Sequence, residues 1–299
     1  MKKVLFYVLA MVSYCCTTVN AQSIIDADDQ RNPNDFYTKV ITTGKKAMPY
    51  PAVRQSDVVW EQVVWREIDF NEKFNQFFFF PLDTTTNTQG RTSLVNLILR
   101  AVSNGDIANV YDDDDMNIVK DPAKAIQDLA GEPIERQRPK VDEDGQPMFD
   151  DDGEPIQETY LQARTFDVST ATKIRIKERW YIDKQDSRQK VRILGLAFEY
   201  DKEMASGNTA RNWSFWIPMD NMDVRNVFVN ANAYDENNDV VERSYDDIFI
   251  QRYFDSYIIR KSNVYNRAIS DYLVGEDAIL EAQRLEEEIY DIESDMWEY

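Results

Sequence analysis

Lys173-Ile174-Arg175-Ile176-Lys177-Glu178-Arg179-Trp180 alternates charge with bulk, and after the polar stretch Asp183–Ser187 the chain returns through Val191, Ile193, Leu194, Leu196, Phe198 and Tyr200. Successive side chains of a strand point to opposite faces, so a period of two places Lys173, Arg175, Lys177 and Arg179 on one side. The spacing predicts an antiparallel hairpin over residues 173–200. Four like charges in line repel unless something answers them. The stripe is therefore a candidate contact for an acidic surface on a neighbouring subunit or partner. The bland alternative is that own-chain acids such as Glu178, Asp183 and Asp186 solvate it.

Working upstream, Trp60, Val63, Val64 and Ile68 fall at i, i+3, i+4 and i+8, which predicts a helix capped by Ser56 or Asp57. The run Phe77–Phe80 before Pro81 predicts a short buried extended segment. Leu94, Leu97, Ile98, Ala101 and Val102 predict a helix over Thr92–Ser103, stopped at Asn104-Gly105. A short helix is expected after Pro122, which suits a first-turn position. Downstream, residues 213–217 and 224–230 are expected as further strands, and Asp246–Ile259 as a helix. The tail 276–299 has a helical pattern. Ala278, Ala282, Leu285, Ile289, Ile292 and Met296 are separated by four and three residues in turn, an a/d seam that lays one apolar line along a partner or along the chain's own core. The expected fold class is α+β, with helices flanking a small antiparallel sheet, an acidic surface insert and a C-terminal amphipathic helix.

Five segments follow from this reading. Lys2 and Lys3, an apolar run and Val19-Asn20-Ala21 have the layout of a secretory signal peptide over 1–21, with the mature chain expected to begin at Gln22. Residues 22–130 read as mainly helical behind an extended lead-in. Residues 131–165 hold two aligned octapeptides, Val141–Met148 and Phe149–Ile156, each centred on Asp-Gly, which predict an exposed acidic loop or hairpin. Residues 166–275 form an α+β part, and 276–299 an acidic helix.

The 299 residues carry a formal net charge of -20 and no histidine, and the only two cysteines, Cys15 and Cys16, lie in the expected signal peptide. This balance argues against nucleic acid as a partner. Without histidine, the commonest general base and the commonest metal ligand are both missing. Ser187-Arg188-Gln189-Lys190 matches Ser-x-x-Lys, but its companion elements are absent and it falls in the hairpin turn. The run Asp112–Asp115 reads as solvated charge. The Asp-Gly octapeptides do not satisfy a calcium loop, and no glycine-rich phosphate loop occurs. The expected inventory is no catalytic residue, no cofactor and no metal. On residues alone, a carboxylate-dependent glycan hydrolase and a glycan- or calcium-binding module stay open.

The segment Tyr50–Leu82, through Tyr50, Pro51, Arg54, Asp57, Trp60, Trp65, Arg66, Ile68, Asp69, Lys73 and Pro81, resembles the signature of the gliding motility family GldN, also called PorN. A second echo is Phe254–Asn263. The resemblance implies a non-enzymatic periplasmic subunit of the type IX secretion and gliding machinery. It implies assembly into a ring with other copies and with an outer-membrane lipoprotein of the GldK/PorK type, and contact with the periplasmic part of GldM/PorM. No direct membrane span is expected, because no stretch after the signal segment is long and apolar enough to cross a bilayer. The partner-binding candidates are then Lys173, Arg175, Lys177, Arg179, Leu285, Ile289, Ile292 and Met296.

Overall fold

The expected hairpin is the centre of a five-strand antiparallel path. A computed structural model describes residues 44–82, 91–131, 134–139, 157–162, 164–203, 209–236, 238 and 240–295. The strands are β1 (Val58–Asp69), β2 (Val110–Tyr111), β3 (Val119–Lys120), β4 (Ile134–Pro139), β5 (Gln157–Gln162), β6 (Ala171–Asp183), β7 (Arg188–Glu203), β8 (Thr209–Trp213), β9 (Ile217–Pro218) and β10 (Tyr257–Lys261). The helices are α1 (Gln76–Phe79), α2 (Leu94–Asn104), α3 (Pro122–Ala130), α4 (Met222–Val229), α5 (Tyr245–Gln251) and α6 (Glu276–Asp295). The main sheet runs β10-β1-β6-β7-β8, with β9 also on β7; β2 pairs with β3, and β4 with β5. The octapeptides between β4 and β5, the signal segment and Met296 lie outside the described residues.

β6 and β7 pair from Ala171↔Tyr200 to Asp183↔Arg188. Their turn is closed by Ser187 N–H donating to Asp183 O at 2.8 Å and by Gln185 N–H donating to the Asp183 carboxylate at 3.0 Å. The helix expected over Trp60–Ile68 is instead strand β1, paired with β6 on one edge and β10 on the other. The physical reason is periodicity. Trp60, Val64 and Ile68 are spaced by four, which is one face of a helix and equally one face of a strand. Val63 is what separates the two readings, and it packs on the opposite face beside Trp65. A central strand buried on both sides shows no clean alternation.

Three more expectations are corrected. Phe77–Phe80 is not extended: α1 takes Gln76–Phe79, and only Phe80 has extended backbone. Residues 224–230 are not a strand but lie in α4 and its C-cap Asn230. The Asn221 side chain caps α4 by accepting from Asp223 N–H, and Val224 and Phe228, one turn apart, are buried. The helix expected over Asp246–Ile259 stops at Gln251, because Arg252 turns left-handed at φ 54°. The chain then re-extends into β10. Residues 213–217 split between the end of β8 and the start of β9. The helices after Ser93 and Pro122 form as expected, and Gly105 at φ 83° ends the first of them.

One face of the sheet carries the helices. Ile68, Ile174, Ile176, Leu196 and Phe198 meet α2, α3, α4 and α5 in the main core. Further along the same face, Val64, Trp180 and Ile258 meet α6. Helices collected on one face of an antiparallel sheet make an α+β fold. The other face holds Trp65, Ala197 and Trp216, with Met116 and Trp213 against them. Gly195 is required there: a Cβ would sit 3.1 Å from both Ile217 O and Met116 Sδ.

Candidate functional site

Lys173, Arg175, Lys177 and Arg179 share the face opposite the helices, and each meets an acid of the same chain. Lys173 Nζ donates to Glu67 Oε1 at 2.7 Å and to the Tyr257 hydroxyl at 3.1 Å. Arg175 reaches Glu67 Oε2 at 3.4 Å and lies 3.8 Å over the Trp213 ring. Lys177 donates to Asp115 Oδ1 at 2.7 Å and to Asp114 O at 2.9 Å, above the Trp65 ring. Arg179 is 3.9 Å from Glu61, with about half of its side chain in solvent. The sequence listing of nearby acids missed these partners. Glu67 sits directly across the β1/β6 ladder from Arg175, Glu61 lies diagonally across it from Arg179, and the Asp112–Asp115 run folds over the sheet.

That run is not simply solvated. Asp112 pairs with Lys120 at 2.9 Å, Asp114 with Arg260, and Asp115 with Lys177. Arg260 stacks 3.6 Å over Trp65. Asp113 accepts from the N–H groups of Asn117 and Ile118, which fixes the turn.

Glu67 is the hub of the ladder. Burial works to raise its pKa, but the bonds from Lys173 and Tyr257 and the charges of Lys173 and Arg175 outweigh it, and the carboxyl is held below its ordinary value. Burial together with the Glu67 carboxylate pushes the Tyr257 hydroxyl up to about 12. Lys173 is raised by the same bonds, against the effect of its own burial.

The α6 seam packs inward. Ala282, Leu285 and Ile289 are buried against Val64, Trp180, Ile258 and Ile269, with Ala278 at the margin. Ile292 is half-buried. Polar contacts fix the docking: Arg66 to Glu286 at 2.8 Å, Lys261 to Glu288 at 2.6 Å, and Gln189 Nε2 donating to Ile289 O at 2.9 Å. An acid-rich helix whose C-terminal half opposes its own macrodipole gains from cations supplied by the sheet.

A groove of about 1110 Å³ runs along edge strand β10. Val274, Ala278 and Ile279 line one side, Trp65 and Trp213 the other, and Asp112, Asp113, Glu72 and Asp255 add acid to it. Burial first, then repulsion from Asp255 and Asp69, raises the pKa of Glu72. Among the described residues no three or more Cys, Asp or Glu are arranged to hold a metal ion. No helix among them is long and apolar enough to cross a membrane.

The two segments that carry the family resemblance meet here. β1 pairs with β10, and Arg66 donates to Ser256 Oγ and Ser256 O, both at 2.8 Å. Asn75, fully buried, donates to Asp69 O and Asp255 O at 3.0 Å and accepts from Asp255 N–H at 2.9 Å. Tyr50 lies under two guanidinium groups, 4.2 Å from Arg225 and 4.9 Å from Arg192. Arg225 is buried, makes two 3.0 Å bonds to Asp246 and also donates to Met48 O. These residues lock the lead-in and the sheet edge; they do not converge on a reacting centre.

No curated protein matches the chain. The family model described as gliding motility associated protein GldN matches residues 53–298, which takes in the first segment from residue 53 onward, all of the second and everything between them. The chain therefore belongs to the GldN family, components of the gliding motility and type IX secretion machinery.

Proposed function

We propose that this chain is a non-enzymatic periplasmic subunit that builds a ring with other copies and with an outer-membrane lipoprotein of the GldK/PorK type. In this reading it also meets the periplasmic part of GldM/PorM. The observation that carries the reading is the family match over residues 53–298. Its support in the fold is that Tyr50, Arg66, Asn75 and Asp255 are spent on holding elements together, as expected of a part whose shape is its function. Of the cationic residues expected to meet a partner, we assign the outward contact to Arg179, the most exposed of the four; Lys173, Arg175 and Lys177 hold that face rigid. Leu285 and Ile289 act through α6, whose outer side, with Ile279 and Leu280, is left free for a neighbour.

The test is purification of the tagged chain from cross-linked membranes, followed by mass spectrometry and imaging. The expected result is a ring-sized particle containing the lipoprotein, with a chain mass that begins at Gln22. A monodisperse soluble monomer, or a diacylated Cys15 or Cys16, would overturn it.

A further inference from the structure

We propose that the groove along β10 takes up an extended segment of another protein, of alternating apolar and basic residues, as an added strand of the sheet. The inference stands on the edge strand and its groove alone, and holds or fails whatever machinery the subunit serves.

β10 pairs with β1 on one side, and among the described residues no strand pairs with its other side. Four of its five residues, Tyr257 to Arg260, line the groove, and an edge of this kind offers N–H and C=O groups to an incoming chain. Natural proteins commonly blunt such edges with charge or cover. β10 itself carries Arg260 and Lys261, both paired with acids of the chain, and the neighbouring wall is apolar, with Val274 84% and Ile279 70% exposed. The two sides of the groove differ. The α6 side presents Val274, Ala278 and Ile279, while Asp112 and Asp113 stand on the other. A strand alternates its side chains between two such sides, so one set should be apolar and the other basic.

Charge argues for the same occupant. Arg175 and Arg260 are already held by Glu67 and Asp114. Glu72 and Asp255 have no cation within salt-bridge reach among the described residues; they repel each other, and Lys173 offsets this at Glu72 only from beyond that reach. A lysine or arginine arriving there relieves that repulsion. The chain's own formal net charge of -20 disfavours a second copy as the donor of that segment. Trp65, which lines the groove and is 7% exposed, also carries a buried indole N–H without an acceptor. A peptide carbonyl is the group that would satisfy it.

The probe is a labelled eight-residue peptide of alternating lysine and valine, tested on the full mature chain at physiological salt. Fluorescence anisotropy and hydrogen exchange are the readouts. The expected result is binding with new protection over Tyr257–Lys261. N-methylation of alternate amides should weaken it by about tenfold or more, because backbone pairing gives strand addition its affinity. A glutamate-valine peptide should not bind. Ile279→Asp, at an exposed position, should weaken binding with an unchanged melting temperature. Equal binding of the N-methylated peptide would reduce the effect to bulk charge and overturn the proposal. Protection that appears elsewhere would also overturn it. So would self-association of the chain that competes with the peptide and is abolished by Ile279→Asp, since the occupant would then be a second copy.

Discussion

Ile279 and Ile289 are the same residue on the same helix, and α6 gives them opposite environments. Ile289 is 1% exposed against Val64, Trp180 and Ile258, whereas Ile279 is 70% exposed. Ile289→Ala removes buried methyl and methylene groups and leaves a cavity, a change that costs about 2–5 kcal/mol in cores generally. The α6 cluster is smaller than the main core and can relax from its outer side, so about 2–4 kcal/mol is expected. For a chain of this size that is roughly a 3–7 °C fall in melting temperature. Ile279→Ala removes nothing buried, and alanine has the better helix propensity, so the change should stay within about 0.5 kcal/mol. Urea denaturation and calorimetry of the mature chain measure both. Similar values for the two variants, or a loss below about 1 kcal/mol for Ile289→Ala, would refute the packing of α6 on its own sheet. A truncation before Glu276 extends the test. It strips Ala282, Leu285 and Ile289 from the cluster and leaves Arg66 without Glu286, so the isolated protein should lose much of its stability.

Asp246→Asn leaves Arg225 buried with its charge uncompensated, and breaking a buried pair in this way costs about 3–5 kcal/mol; urea denaturation should show the loss, with faster amide exchange over residues 45–50. Glu67 has a folded pKa below its ordinary value, so its stabilising contribution is complete above the ordinary carboxylate range and is lost as pH falls through the folded value. The stability difference between wild type and Glu67→Gln should therefore be full at neutral pH and close up below about pH 4, which paired denaturation curves across pH will check. Gly195→Ala pushes a methyl against Ile217 O and Met116, and overpacking of this kind should cost about 1–3 kcal/mol in a thermal melt.

The β6/β7 hairpin was readable because cations recur at every second position from Lys173 to Arg179, with only Glu178 breaking the bulky set between them, and its turn is polar. α2 was readable because Leu94, Leu97, Ile98, Ala101 and Val102 fit a helix and no strand. β1 was not, since Trp60, Val64 and Ile68 satisfy both periods and burial on both faces erases the polar alternation. β10 was lost for a different reason. Tyr253 and Tyr257 continue the helical spacing of α5, and nothing in the sequence announces that Arg252 adopts φ 54°. Missing β10 meant missing the groove, because the groove is defined by that edge. The cationic stripe was placed correctly on one face, but its partners were not. Glu67 and Asp115 are 106 and 62 residues from the lysines they bind, and only the β1/β6 register and the fold of the 112–116 loop bring them close.

The charge imbalance takes a definite spatial form. The cations of β6, with Arg66, Arg225, Arg252 and Lys261, are committed to acids of the same chain. With 54 acids against 34 lysines and arginines, the excess must remain where no own-chain cation reaches. Part of it collects beside the β1–β10 edge at Glu72 and Asp255, and part along the outer side of α6 at Glu287 and Asp291. Two like charges one turn apart on a helix cost a few tenths of a kcal/mol, and acids near its C-terminus oppose the macrodipole. The sheet repays this through Lys261 and Arg66, but only on the inner side of the helix. The acids beside the edge strand, Glu72 and Asp255, line the same groove as the apolar patch at Val274 and Ile279. A basic, apolar strand in the β10 groove answers Glu72, Asp255 and the apolar patch together, whereas a second acidic copy would answer only the apolar part.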